Sequence, residues 1–172
     1  MKPIAVLTAL FFYILVGNAT ADSSFSPLIK AVTNKNASPF AIESLLKNGA
    51  DANVKDSDGR SALMLAAMHN PDPLAVYTLI HFGARVNERE TTSGKTALFF
   101  AVQYNPNPEV IMTLLNNGAD QDITDFLGRT ADDYADRNPK IKENPVLWLF
   151  HKYQPKDEDV EEDTSSDSAA SL

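Results

Sequence analysis

Two kinds of apolar run alternate along the middle of the chain. One is dense and rich in alanine: "SALMLAA" from Ser61 and "TALFFAV" from Thr96. The other is spaced: Val76, Leu79 and Ile80, then Val110, Ile111, Leu114 and Leu115. Apolar residues three and four apart fall on one stripe of an α-helix. The segments "NASP", "NPDP" and "NPNP" separate dense run from spaced run, and such prolines block helix continuation and set a tight turn. Gly49, Gly83 and Gly118 close the spaced runs, where a helix end takes the left-handed conformation. Polar stretches follow, "ADANVKDSDG", "ARVNERETTSG" and "ADQDITDFLG". They read as extended arms leading to the next dense run. The pattern predicts a short helix, a turn, a second helix and a finger, several times over.

The spacing of the glycines supports this. Gly59, Gly94 and Gly128 open "GRSALMLAA", "GKTALFFAV" and "GRTADDYAD" at intervals of 35 and 34, while Gly49, Gly83 and Gly118 recur at 34 and 35. Two independent landmarks with one period point to stacked repeats. The hydroxyls of Ser26, Ser61, Thr96 and Thr130 stand where a helix N-cap is needed, and Pro27, Ala62, Ala97 and Ala131 follow at the first helical position, which suits proline and alanine. Leu63, Ala66 and Ala67, or Leu98, Ala101 and Val102, give the first helices small faces that let neighbours come close. One helix pair cannot bury its stripe alone, so stability resides in the contacts between neighbours. Leu45, Leu79 and Leu114 are expected to stack along one seam.

These features resemble the ankyrin repeat, with its "T-P-L-H-x-A" opening and "LLxxGAD" close. The openings here are "SPLIKAV", "SALMLAA", "TALFFAV" and "TADDYA"; the closes are "LLKNGAD", "LIHFGAR" and "LLNNGAD". The likeness runs from about Phe25 to Tyr153. It implies an all-α repeat solenoid of about four ankyrin repeats, helix-turn-helix plus β-hairpin-like fingers, over about 25–58, 59–93, 94–127 and 128–154, the first and last acting as caps. The period exceeds the family's, which we ascribe to the extra residue of the "NPxP" turn. The histidine of the opening is absent; Ile29, Met64, Phe99 and Asp132 are read in its place, which weakens the family's hydroxyl–histidine bonding. The last unit lacks the "LLxxGAD" close, and its second helix, Pro145 to Lys152, is expected to place Trp148 against the third repeat or over the end of the stack.

The two ends change the picture. "MKPIAVLTALFFYILVGNATA" has Lys2, an apolar run of thirteen residues from Ile4 to Val16, and Ala19-Thr20-Ala21 before Asp22. This is the layout of a secretory signal peptide cleaved after Ala21. As a helix the run would reach ~20 Å, short of the ~30 Å hydrocarbon core. We therefore expect a signal peptide at 1–21, a repeat domain at 22–154 and a disordered acidic tail at 155–172, in a periplasmic or secreted protein. The chain has a formal charge of −8, and "PKDEDVEEDTSSDSAASL" alone holds seven acids against one lysine. A tail so poor in apolar residues cannot offset its chain entropy, and its charge opposes binding to nucleic acid. No cysteine is present, so the fold has no disulfides and must hold by packing.

No catalytic constellation is visible. His69, His81 and His151 are the only histidines and form no HxxxH or HExxH pair; they read as surface or capping residues near helix C-termini, where positive charge is favoured. Asp56/Asp58 and Asp132/Asp133 read as solvated turn formers. Neither GxxxxGK[ST] nor GxGxxG occurs. The chain is expected to be a non-enzyme without metal or cofactor, to have no membrane association once the leader is cleaved, and to be a monomer.

The resemblance implies a concave binding face built from finger tips and first helices. By position it comprises Ser57, Asp58 and Arg60, then Thr92, Ser93 and Lys95, then Phe126, Leu127 and Arg129, with Met68, His69, Gln103 and Tyr104 from the helices. Two large apolar residues at the third tip are unusual. Phe126 is either a partner anchor, since aromatics dominate interface energetics, or packs on the terminal cap near Tyr134. The leading expectation is an exported adaptor binding a protein partner. The alternative is an immunity-type or protective inhibitor of one enzyme, its acidity masking a basic site. A small-ligand binder or enzyme on the same scaffold is the third.

Overall fold

The structure, a computed structural model, describes residues 26–135. Seven helices occur among them: α1 (Pro27–Thr33), α2 (Pro39–Lys47), α3 (Ala62–His69), α4 (Pro73–His81), α5 (Ala97–Tyr104), α6 (Pro108–Asn116) and a short α7 (Asp132–Ala135). The expected leader, Phe25, the helix carrying Trp148, His151 and the acidic tail lie outside the described residues.

Helices α1, α3, α5 and α7 form one row, and α2, α4 and α6 form a second row packed along it. The core runs continuously through both rows. The dense runs explain the first row. Ala62 to Ala67 of α3 and Ala97 to Val102 of α5 are all buried, because each helix has a neighbour on both sides and an outer helix behind. The spaced runs explain the second row, where Val76, Leu79, Val110, Ile111, Leu114 and Leu115 are buried and the opposite faces are solvated. Leu79 and Leu114 are fully enclosed in the expected seam, whereas Leu45 in the first repeat is only partly buried against the core.

Each second helix begins on the last proline of its turn. Pro39, Pro73 and Pro108 occupy the first turn, and Ser38, Asp72 and Asn107 cap it by accepting the amides of Phe40, Leu74 and Glu109. Proline suits this place because its missing N–H has no helical partner there. The first helices are capped less uniformly than expected. The Ser61 hydroxyl accepts the Met64 amide at 3.3 Å, and the Ser61 amide donates to Met64 Sδ at 3.4 Å. Ser26 and Thr96 make no side-chain cap bond. At Thr130 the amide and hydroxyl donate to Asp133. Counting from Thr130, Asp133 rather than Asp132 holds the fourth position of the opening, and its carboxylate provides the acceptor there. Phe99 has no acceptor to offer, and the buried Thr96 hydroxyl is left without a partner.

Side-chain amides tie repeat to repeat at both ends of the helix pairs. At the turns, Asn105 Nδ2 donates to the carbonyls of Ala67 and Asn70, both at 2.8 Å, and Asn107 Nδ2 donates to Pro71 O. At the finger bases, Asn53 donates to Gly83 O and accepts from the Arg85 amide. Asn87 repeats this with Gly118 O and the Asp120 amide. Gly49, Gly83 and Gly118 take positive φ of 91°, 90° and 86°, as a helix terminator should.

Candidate partner-binding face

Each finger is a short hairpin closed across its base. The amides of Asp56, Glu90 and Asp125 donate to the carbonyls of Arg60, Lys95 and Arg129 at 2.9, 2.9 and 2.8 Å. The same three residues organise the tips with their carboxylates. Asp56 Oδ1 accepts the amides of Asp58 and Arg60, and Asp125 Oδ1 accepts those of Leu127 and Arg129. Glu90 accepts the amides and hydroxyls of both Thr92 and Ser93. The second finger is one residue longer: Gly94 lies eleven residues after Gly83, against ten from Gly49 to Gly59 and from Gly118 to Gly128. Glutamate supplies the extra methylene that the longer tip requires. This residue, and not the "NPxP" turn, makes the interval 35 rather than 34.

Burial works to raise the pKa of Glu90, but the hydrogen bonds from Ser93 and Thr92 outweigh it and hold the group at about 2. At Asp125 burial again opposes ionisation, and the Tyr134 hydroxyl, the Arg129 and Leu127 amides and the Lys95 charge win, lowering the pKa. Tyr134 donates to Asp125 Oδ2 at 2.5 Å, and that bond, together with burial, raises the tyrosine's own pKa. Asp56 is therefore not a solvated turn former as its neighbour Asp58 is; its side chain is almost enclosed and holds Arg60 at 2.6 Å. His69 does end α3 as expected, but burial first, then Arg60 and Lys35, lower its pKa. Burial first, and those two cations after it, thus work against a positive charge on His69.

The first two fingers enclose a groove of about 630 Å³. It brings together Ser57, Asp58 and Arg60 with Thr92, Ser93 and Lys95, and adds Lys55, Thr91 and, as inner wall, Phe100. The sequence reading missed Phe100; its signal was the aromatic pair Phe100/Tyr104 four residues apart, whose rings stack at 6.5 Å. Met68, His69, Gln103, Tyr104, Phe126, Leu127 and Arg129 do not line this groove. Met68, His69 and Gln103 are half-buried along the first-helix row, and Tyr104 is exposed.

The third tip does not show the expected packing near Tyr134. Phe126 does not pack on the cap at Tyr134, whose ring meets Phe99 edge-on at 5.8 Å. Phe126 lies back over the second finger, where its amide donates to Ser93 O at 2.8 Å and its ring sits 5.6 Å from the Arg89 guanidinium. A Cβ at Gly94 would stand 2.6 Å from the Phe126 ring, and one at Gly59 would stand 2.7 Å from Thr91 Oγ1. Thr91 and Phe126 hold equivalent positions, so each covers the glycine of the preceding finger. Phe126 nevertheless remains 63% exposed and Leu127 72% exposed.

Among the described residues, no group of three or more His, Cys, Asp or Glu could hold a metal ion, and no helix is long and apolar enough to cross a membrane. No curated protein matches the chain. A family model described as ankyrin repeats (3 copies) matches residues 8–90, 28–125 and 63–159. With helix pairs, glycine closes and hairpin fingers in that register, the chain belongs to the ankyrin-repeat family, whose modules generally mediate contacts between proteins.

Proposed function

We propose that the chain is an exported, non-catalytic adaptor that binds one protein partner through the groove between its first two fingers and the apolar third tip. The observation that carries this is the pairing of a groove of about 630 Å³ with a neighbouring exposed Leu127. Contact surfaces commonly set a few large anchoring side chains within a polar rim. Export rests on the leader pattern of residues 1–21.

Affinity capture with the full chain tests the reading if variants are run beside it. Leu127→Asp should lose a partner that wild type retains, while Glu109→Lys on the outer helix row should keep it. A partner held equally by both variants would contradict the proposed face. Detection of the uncleaved leader on cytoplasmic protein would contradict export.

A further inference from the structure

The second and third fingers are joined at their tips, and the first and second are not. At their bases the two joints are alike. Asn53 ties the first joint through Gly83 O and the Arg85 amide, and Asn87 ties the second through Gly118 O and the Asp120 amide. Above the bases they differ. The Phe126 amide donates to Ser93 O at 2.8 Å. Arg89 Nε donates to Gly94 O of its own finger at 3.0 Å, and Nη2 donates to Thr124 O of the next at 2.5 Å. The same guanidinium faces the Phe126 ring, and Gly94 is buried beneath that ring. In the first joint Lys55 stands where Arg89 stands. It reaches the second finger by an ion pair with the Glu88 side chain at 2.8 Å, and Glu88 Oε2 has no hydrogen-bond partner. Thr91, the counterpart of Phe126, makes no hydrogen bond to the first finger among the described residues and leaves Gly59 half-buried. A guanidinium fork fixed on two backbone carbonyls defines a geometry that one ammonium on a side-chain carboxylate does not.

The tip contact depends on the extra residue of the second finger. With Thr91 and Thr92 equivalent to Ser57 and Asp58, Ser93 is the residue that the other tips lack. Its carbonyl is the one that accepts the Phe126 amide. The groove lies at the other joint, where the ties are few, and sparsely tied elements open locally at low free energy. We propose that Ser93 and Arg89 are positioning residues. They lock the second and third tips into one stiff surface that holds Leu127 in place, while the first finger swings on its base and sets the width of the groove. A partner meets a prepositioned anchor, which lowers the ordering cost of binding, and the first finger closes on it afterwards. That consequence rests on the reading of the face as the partner site; the difference in stiffness between the joints does not.

The absence of cysteine permits paired nitroxide labels on the full chain, with distance distributions read by pulsed electron spin resonance in frozen solution. Thr92→Cys with Leu127→Cys spans the second joint, and Ser57→Cys with Thr92→Cys spans the first. The second joint should give one narrow distribution and the first a clearly wider one. Arg89→Lys, which gives the second joint the residue type of the first, should cost the second joint its narrow distribution and leave the first joint and the helical circular dichroism unchanged. Deletion of Ser93 should do the same. Without any label, the Phe126 amide should exchange slowly with solvent in wild type and lose that protection in both variants. Equal widths at the two joints, a wider second joint, or a second joint that stays narrow in either variant overturns the proposal. Broadening of both joints together in Arg89→Lys, the mark of general unfolding, overturns the positioning role. No partner protein is present in this measurement, so its failure is separate from failure of the capture assay.

Discussion

The side-chain amide of Asn105 donates to the backbone carbonyl of Asn70 at 2.8 Å and to that of Ala67 at the same distance. One asparagine thus satisfies two acceptors at the end of the preceding first helix, inside the protein. Asn105→Ala removes both bonds in a buried setting and should cost ~1–3 kcal/mol. Urea unfolding of the variant is the check; a midpoint equal to wild type would show that this tie does not couple the repeats.

Leu79 is fully enclosed between neighbouring repeats, while Leu45 at the first repeat is only partly buried. Leu79→Ala should therefore cost ~2–5 kcal/mol, and Leu45→Ala distinctly less. Equal losses in parallel urea melts would mean that the stack does not end where the first repeat places it.

Gly94 and Gly118 both have positive φ, 76° and 86°, but only Gly94 has a neighbour in the way. Left-handed backbone costs an L-residue ~1–2 kcal/mol, so Gly118→Ala should lose about that much. Gly94→Ala should lose more, since its methyl group would meet the Phe126 ring. Adding Phe126→Ala should recover the excess and no more. Full additivity of the two substitutions would contradict the close approach of the fingers.

The Thr96 hydroxyl is buried without a partner, whereas Ser61 caps its helix. Thr96→Val should be neutral or stabilising by up to ~1 kcal/mol, because a buried unpaired hydroxyl is unfavourable. Ser61→Ala should cost ~1 kcal/mol. Thermal melts that rank the pair in the opposite order would contradict this difference between the repeats.

Glu90 and Asp125 have lowered pKa values in the folded chain. A depressed carboxylate contributes stability that is present above its unfolded pKa and lost as pH falls through the folded one. For Glu90 that window runs from its ordinary 4.5 down to about 2. Glu90→Gln should be less stable than wild type at pH 7, and the gap should close on acidification through this window. A gap that is constant with pH would mean that ionised Glu90 does not hold the second finger.

Helix pairs, turns and glycine closes were legible in the sequence because they depend on spacing a few residues long. The buried stripe of Val110, Ile111, Leu114 and Leu115 needs only a 3.6-residue period to be seen. The asparagine ties were not legible. Asn105 reads as a turn residue before proline, and nothing in its identity reveals acceptors 35 and 38 residues away. The role of Glu90 was half visible, as a one-residue change in the glycine interval that the turn seemed to explain. For Phe126 the sequence left two places, a partner anchor or the cap near Tyr134, and neither pointed to the second finger. The equivalence of Phe126 to Thr91 and its place over Gly94 emerge only when consecutive fingers lie side by side. The groove depends on the same side-by-side arrangement, which is why Lys55 and Phe100 escaped notice while Ser57, Arg60 and Lys95 did not.

A second exposed apolar surface competes with the fingers for the role of contact face. Phe40 and Leu74, 75% and 58% exposed, stand at equivalent positions on α2 and α4 in the outer row. The most direct measurement places a photo-crosslinking amino acid at one position per chain, in cells that produce the protein. The account predicts a covalent adduct of one defined mass from positions 57, 93 and 127, and none from positions 40, 74 and 109. Adducts from the outer positions with silent fingers would contradict it.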